Sequence, residues 1–270
     1  MTELLQCEAP LIDIGVNLTH ASFDKVLTAT ISRAKQANVA KLVITGTSEK
    51  ESIRALKLCQ KLTPDHPGMF YATSGVHPHN AKEFNSETIN TLRTLASNKE
   101  IVAIGETGLD FNRNFSLKKD QERAFEAQLE LAIELGLPVF LHERDAHHRQ
   151  LEILKQYRGS LKNAVIHCFT GDKASLFNYL DLDLHFGITG WICDERRGQE
   201  LQKIMKNIPL NRLMLETDAP YLLPRTIKKK IQNEPAFLPW ILNTVSEHRT
   251  ETILEIANGT TLTSKLFFNL

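Results

Sequence analysis

The sequence has few cysteines, and their placement argues against two kinds of cysteine site. Four occur among 270 residues, and no two of them form a C-x-x-C pair. Zinc sites built on thiolates usually show that spacing, and disulfide frameworks belong mainly to short, cysteine-dense secreted chains. We therefore expect neither a disulfide nor a cysteine zinc site.

The chain also lacks a net charge, a long apolar segment and a basic, apolar start. Its 32 basic and 32 acidic residues cancel, whereas proteins that grip long stretches of phosphate backbone usually carry a basic domain or stripe. The opening segment MTELLQCEAPLID carries an early acid and does not resemble a secretory signal. We expect a cytoplasmic protein with no membrane span, and the charge balance alone does not indicate a nucleic-acid partner.

What the sequence does contain is an alternation of short apolar runs with longer amphipathic segments. The eight runs cover residues 11–18, 41–47, 69–77, 101–109, 138–143, 163–168, 184–190 and 213–219. Most are continuously apolar, which is typical of parallel strands covered on both faces. A chain of 270 residues also fits one α/β barrel, which needs about 250. We predict a (β/α)8 TIM barrel in which residues 1–270 form a single domain.

Helix signals lie between the runs. Ser48 followed by Glu51 predicts a capping box, and Ser86 predicts the cap of a later helix. Residues 118–135 repeat apolar side chains at helical spacing, and Gly136 follows as a stop signal. These signals support strand-helix units across the whole chain.

Three metal-binding side chains stand at the ends of consecutive predicted strands. Glu106 lies in AIGETGLD, His142 directly follows PVFL, and His167 directly follows AVI. Because the carboxyl ends of barrel strands meet at one mouth, we expect these residues to converge. Imidazole and carboxylate ligands together suit a divalent cation.

The last predicted strand ends in LETDAP, which contains two further carboxylates. Asp218 can bind a metal or take the proton from an attacking water. Glu216 lies two residues earlier and faces the same side of the strand, so we expect it to be buried and to orient neighbouring groups.

Other residues near the predicted mouth are candidates for substrate contacts. His77 in GVHPH and Arg144, just beyond the fifth strand, are expected to contact substrate phosphate, and His79 is expected to be exposed. Aromatic side chains there can stack on unpaired bases or pack at the barrel rim. They are Phe111, Phe169, Trp191 and Tyr221.

The whole chain resembles the TatD-type metal-dependent deoxyribonucleases, within the amidohydrolase-like barrels. The strings that carry the resemblance include GVHPH, GETGLDFNRNFS, PVFLHERDAH, HCFTG and LETDAPYLLPR. The resemblance implies a cytoplasmic, Mg²⁺-dependent exonuclease that trims single-stranded DNA and RNA from the 3′ end. The chemistry of the predicted ligands also suits Mn²⁺ and Zn²⁺, and a monomer is the default expectation. It also implies that Glu106, His142 and His167 bind metal and that Asp218 is a catalytic or additional metal-binding group. We expect Glu106 and Asp218 to be the catalytic residues.

The first predicted strand departs from the family pattern. Many relatives carry D-x-H-x-H there, and the two histidines hold one of two ions. In this chain the aligned residues are Asp13, Gly15 and Asn17. Glycine offers no ligand and asparagine offers only a carbonyl. Our hypothesis is one firmly held ion, with a second recruited only together with substrate.

Two other functions fit the same residues. One is a hydrolase of the same barrel class that acts on a small amide, lactone or phosphotriester. The absent histidine pair argues against it, as does the lack of a strand-end lysine that could be carboxylated to bridge two metals. The other is a non-catalytic interaction protein, which the presence of all four predicted ligands disfavours.

Overall fold

The fold class predicted from the sequence is confirmed by a computed structural model, which describes residues 4–270. Its eight strands form one sheet in chain order, and helices follow the strands as in a (β/α)8 barrel. Every strand begins within two residues of its predicted run. The strands are β1 (Leu11–Val16), β2 (Val39–Ile44), β3 (Phe70–Ser74), β4 (Ile101–Asp110), β5 (Val139–Arg144), β6 (Ala164–Ile166), β7 (His185–Ile188) and β8 (Leu213–Leu215).

Helices occupy most of the segments between the strands, and short 3-10 turns complete the loops. The helices are α1 (Leu27–Gln36), α2 (Glu49–Leu62), α3 (Ser86–Ala96), α4 (Lys118–Leu135), α5 (His147–Tyr157), α6 (Lys173–Asp181), α7 (Gln199–Ile204), α8 (Leu238–Glu247) and α9 (Ile253–Phe268). The predicted helix over 118–135 is confirmed, and it ends at Gly136, which has a φ of 63°.

One helix cap was predicted correctly and another was displaced by one residue. Ser48 caps α2, because its hydroxyl accepts the backbone N–H of Glu51 at 3.2 Å, but the second bond of the predicted capping box is replaced by one from Arg54 to Oε1 of Glu51 at 2.9 Å. The prediction for Ser86 is wrong: the cap of α3 is Asn85, whose Oδ1 accepts the N–H groups of Glu87 and Thr88. Asparagine and serine cap helices about equally well, so local sequence alone does not separate two adjacent candidates.

Two further observations concern the thiols and the helices of residues 4–270. All four cysteines are free thiols. No helix in this part of the chain is both long and apolar enough to cross a membrane.

Strand β4 places a carboxylate at an irregularity in the sheet. All ten of its residues are buried. Its pairing with β5 advances from Gly105 opposite Phe140 to Thr107 opposite Leu141, so that Glu106 is skipped in the register. The N–H of Glu106 donates instead to the carbonyl of Gly46 at 2.7 Å. Such irregularities re-aim the side chain that they carry.

Residue contacts divide the chain into two compact units. One comprises the residues up to 44 together with 168–176 and 186–270, and the other comprises 45–167 and 177–185. Within the first unit β1 lies beside β8, and the N–H of Asp218 donates to the carbonyl of Gly15 at 2.8 Å. The assignment of the whole chain to a single domain stays a prediction.

Candidate metal centre

Three imidazoles surround one carboxylate oxygen of Glu106. The Nδ1 of His142 lies 2.9 Å from Oε1, the Nε2 of His167 lies 3.3 Å away, and the Nε2 of His77 lies 3.4 Å away. Glu106 lies within β4 and His142 within β5, whereas His167 directly follows β6 and His77 lies in the segment after β3. The structure therefore brings three of the four predicted ligands together and adds His77 to them.

A second carboxylate, Asp110, extends this cluster. Its Oδ2 lies 2.6 Å from the Nε2 of His79 and 3.6 Å from the Nε2 of His142. Its Oδ1 accepts the backbone N–H groups of Asn112 and Arg113, which is an Asx turn. The expectation that His79 is exposed is wrong, because only 21% of its side chain is accessible and it is hydrogen-bonded to Asp110.

The electrostatics of the cluster favour an ionised Glu106. Burial opposes ionisation, but His77, His167 and the hydrogen bond from His142 outweigh it and hold the pKa of Glu106 well below its usual range. Burial lowers the pKa of His77 well below its usual range despite the nearby carboxylate. His77 is therefore neutral near pH 7, which is the charge state in which imidazoles bind metals.

The donor set fits a divalent cation. Among residues 4–270, the ligand atoms of His77, Glu106 and His142 lie within 4.8 Å of one another. The Nε2 of His142 is buried and makes no hydrogen bond, although buried polar atoms are rarely left unpaired. Imidazole nitrogens with one carboxylate are typical ligands of first-row metal ions.

Buried glutamine amides hold the backbone beneath the cluster. Gln128 on α4 accepts the N–H of Val76 at 2.7 Å and donates to its carbonyl at 3.1 Å. Gln121, seven residues earlier on the same helix, does the same for Asp110 at 2.9 and 3.0 Å. Sequence reasoning missed both residues, although polar side chains seven positions apart on the apolar face of α4 were a detectable signal.

Gln121→Leu is expected to weaken metal binding by about 10-fold or more and to destabilise the fold by about 1–3 kcal/mol. The substitution leaves the N–H and carbonyl of Asp110 without their buried partner, so its carboxylate is no longer held beside the Nε2 of His142, a predicted metal ligand. Calorimetry with Mn²⁺ and urea unfolding would measure the two effects. The exposed Gln36→Leu is the control, and normal metal affinity in Gln121→Leu would contradict the positioning role.

Residues of β1 and of the position just after it make hydrogen bonds to the segment after β8. Asn17 donates its side-chain Nδ2 to Oδ1 of Asp218 at 3.0 Å. Asp13 is fully buried and accepts the N–H of Thr217 at 2.9 Å and its hydroxyl at 2.5 Å. Burial raises the pKa of Asp13 to about 8, although these hydrogen bonds oppose the shift. Asn17 thus presents an N–H group to Asp218.

Two other predicted site residues have defined surroundings. Glu216 is fully buried, and its Oε1 accepts the N–H of Cys168, the residue after His167, at 2.5 Å. Arg144 is partly exposed, with its Nε 4.0 Å from Oδ1 of Asp145. The burial expected of Glu216 is confirmed, whereas the roles expected of both residues stay predictions.

The predicted aromatic residues differ in their exposure. Phe169 is only 2% exposed and packs against Phe186 with ring centroids 5.0 Å apart, so the packing alternative is confirmed for it. The guanidinium of Arg197 lies 4.3 Å above the ring of Trp191. Tyr221 is exposed. Sequence reasoning did not single out Phe115, which is exposed beside His79.

Comparisons with known proteins agree with this architecture. A relative from Erwinia tasmaniensis, named 3′-5′ ssDNA/RNA exonuclease TatD, is 51% identical over 263 residues, which cover 96% of this chain and 100% of that protein. The crystal structure of a TatD homologue from Escherichia coli K12 superposes with a TM-score of 0.87 at 27% identity, covering 96% of this chain and 98% of that one.

A hydrolase of the TatD family from Entamoeba histolytica gives the same TM-score of 0.87 at 25% identity, covering 98% of this chain and 99% of that one. The family model for TatD-related DNases matches residues 12–269, nearly the whole chain. With eight parallel strands and a buried histidine-carboxylate cluster at their ends, the chain belongs to the TatD-related DNase family.

Proposed function

We propose that this protein is a metal-dependent 3′–5′ exonuclease that hydrolyses phosphodiester bonds of single-stranded DNA and RNA. The observation that carries the proposal is the cluster of three imidazoles around Glu106 in a chain of the TatD-related DNase family. The name of the Erwinia relative supports the polarity and the substrate class.

We assign Glu106, His142 and His167 as metal ligands. His77 lies 3.4 Å from Oε1 of Glu106, against 3.3 Å for His167, so it can bind the ion or the substrate phosphate. When bound, a divalent cation supplies Lewis acidity for phosphodiester hydrolysis. The family resemblance favours Mg²⁺ as the cellular ion, and the imidazole-rich donor set also suits first-row ions such as Zn²⁺ and Mn²⁺ in vitro.

The remaining roles belong to side chains of the chain itself. Asp218 accepts the proton of the attacking water, and the N–H of Asn17 at 3.0 Å fixes one oxygen of that carboxylate. The positive charge of the Arg144 guanidinium stabilises the negatively charged phosphate. Glu216, anchored on the N–H of Cys168, orients the backbone next to His167.

An end-labelling assay tests the proposed function. Single-stranded DNA and RNA labelled at the 3′ or the 5′ end are incubated with Mg²⁺ or with chelator. We expect a 3′ label to be released first as a mononucleotide, and chelator to stop the reaction. Amide, lactone and phosphotriester substrates are run in parallel. If neither the DNA nor the RNA strands are shortened in the presence of metal, the proposal is refuted. Turnover of a small substrate instead would favour the amidohydrolase alternative.

We expect the free protein to bind one equivalent of Mn²⁺ tightly, because β1 supplies Gly15 and Asn17 where many relatives have histidines. Calorimetry without nucleic acid would measure the stoichiometry. His142→Ala should abolish this binding, and the exposed His148→Ala should retain it. Two fully occupied sites in the free protein would contradict the one-ion hypothesis.

A cytoplasmic location and a monomeric state complete the proposal. Cell fractionation would test the first, and light scattering of the purified protein would test the second. Competition between labelled DNA and unlabelled RNA in the same assay would measure the substrate preference.

A further inference from the structure

The loop between β4 and α4, residues 111–117, exposes two large apolar side chains. Phe115 is 62% exposed and Leu117 is 63% exposed. The ring of Phe115 meets the ring of His79 edge to face, with centroids 4.8 Å apart and an interplanar angle of 78°.

Hydrogen bonds on both sides hold this loop in place. At its start, Oδ1 of Asp110 accepts two backbone N–H groups. Next to Phe115, the hydroxyl of buried Ser116 donates to the carbonyl of His79 at 2.9 Å and accepts the N–H of Lys82 at 3.0 Å. Gln121 donates to the carbonyl of Ser116 at 3.0 Å. The exposed ring is therefore carried by a braced segment.

A chain of ring contacts connects Phe115 to the metal centre. The ring centroid of His79 lies 4.2 Å from that of His77, and the ring centroid of His77 lies 4.3 Å from that of His142. The imidazole of His79 is also fixed by Asp110 at 2.6 Å. An exposed aromatic surface thus begins one ring away from the side chains assigned to the ion and the scissile phosphate.

We propose that Phe115 is a substrate-binding residue on which a base flanking the scissile phosphate stacks. The inference rests on the proposed exonuclease function and deepens it. Every base has a π-face, so stacking on an aromatic side chain tolerates any sequence. Binding through this face alone does not depend on the sugar, which is consistent with a substrate class that includes DNA and RNA.

Kinetics of Phe115→Ala, Phe115→Trp and Leu117→Ala test the proposal. Leu117 is the matched control because it is as exposed and lies in the same loop. With Mg²⁺ and an intact strand, Phe115→Ala should raise KM by about 5- to 100-fold, the range for loss of one stacked base. Its kcat should stay near wild type, Phe115→Trp should restore KM, and Leu117→Ala should leave it unchanged.

Strands with an abasic site separate stacking from a structural role. Two strands are used, one abasic at the terminal position and one at the penultimate position. Wild type should bind one of them less tightly than the intact strand, namely the one that lacks the stacking base. Phe115→Ala should not discriminate between that strand and an intact one. The proposal is overturned if Phe115→Ala weakens binding of the intact and the abasic strands by the same factor. It is also overturned if Leu117→Ala raises KM as much as Phe115→Ala does.

A binding measurement distinguishes failure of this inference from failure of the proposed function. Strands with 2-aminopurine at the terminal or the penultimate position are titrated in chelator, where no cleavage is expected. Fluorescence quenching by wild type and Phe115→Trp, but not by Phe115→Ala, supports stacking even if the protein proves not to cleave. Equal quenching by wild type and Phe115→Ala overturns the stacking proposal even if cleavage is normal.

Discussion

Glu106→Gln is expected to reduce metal-dependent strand cleavage by at least about 100-fold. Changing a group that only supports a metal ligand already costs roughly 10- to 100-fold, and Glu106 is itself placed at the centre of the cluster. Its Oε1 lies within 3.4 Å of nitrogen atoms of three histidines. A neutral amide of the same shape removes the negative charge that balances a cation among these imidazoles.

Two measurements separate loss of metal binding from loss of the fold. The variant should bind Mn²⁺ more weakly by calorimetry, and its circular dichroism spectrum should match that of the wild type. Glu130→Gln, an exposed position on α4, is the control and should keep both activity and affinity. Wild-type Mn²⁺ affinity in Glu106→Gln would show that the ion is held elsewhere.

Gly105→Ala is expected to destabilise the fold by about 3 kcal/mol or more. Gly105 has a φ of 143°, a region that residues with a side chain rarely adopt. A Cβ atom there would also collide with the backbone carbonyl oxygen of Phe140 on β5. Neither partner can move freely, because both belong to buried strands that pair with each other.

Two other glycines provide graded controls for this substitution. Gly136 has a φ of 63° but open space around it, so Gly136→Ala should cost only about 1–2 kcal/mol. Gly159 also lies in open space and does not have such a φ, so Gly159→Ala should be nearly neutral. Urea unfolding would rank the three variants, and a Gly105→Ala protein as stable as Gly136→Ala would contradict the predicted clash.

The strands and the main ligands were predictable because they depend on local patterns. Burial on both faces makes each strand a continuous apolar run, and a polar residue directly after such a run is conspicuous. Glu106, His142 and His167 could be identified in this way, and parallel strands bring such residues to one edge of the sheet.

The remainder of the site depends on distances that the sequence does not encode locally. The sequence around His79 predicts a surface residue, whereas in the fold its Nε2 lies 2.6 Å from Oδ2 of Asp110. Gln121 bonds the backbone of a residue eleven positions earlier. Phe115 lies among polar residues in NRNFSLKK, a composition typical of any solvated loop. Only the fold shows that this loop ends beside the cluster.

The hydrogen bonds between β1 and the segment after β8 have a consequence for synthesis of the protein. Asn17 and Asp218 are 201 positions apart, and Asp13 and Thr217 are 204 apart. At about 5–20 residues per second, the ribosome needs about 10–40 s to make the intervening chain. The nascent chain therefore carries Glu106, His142 and His167 for seconds before the aspartate that we assign as proton acceptor has been made.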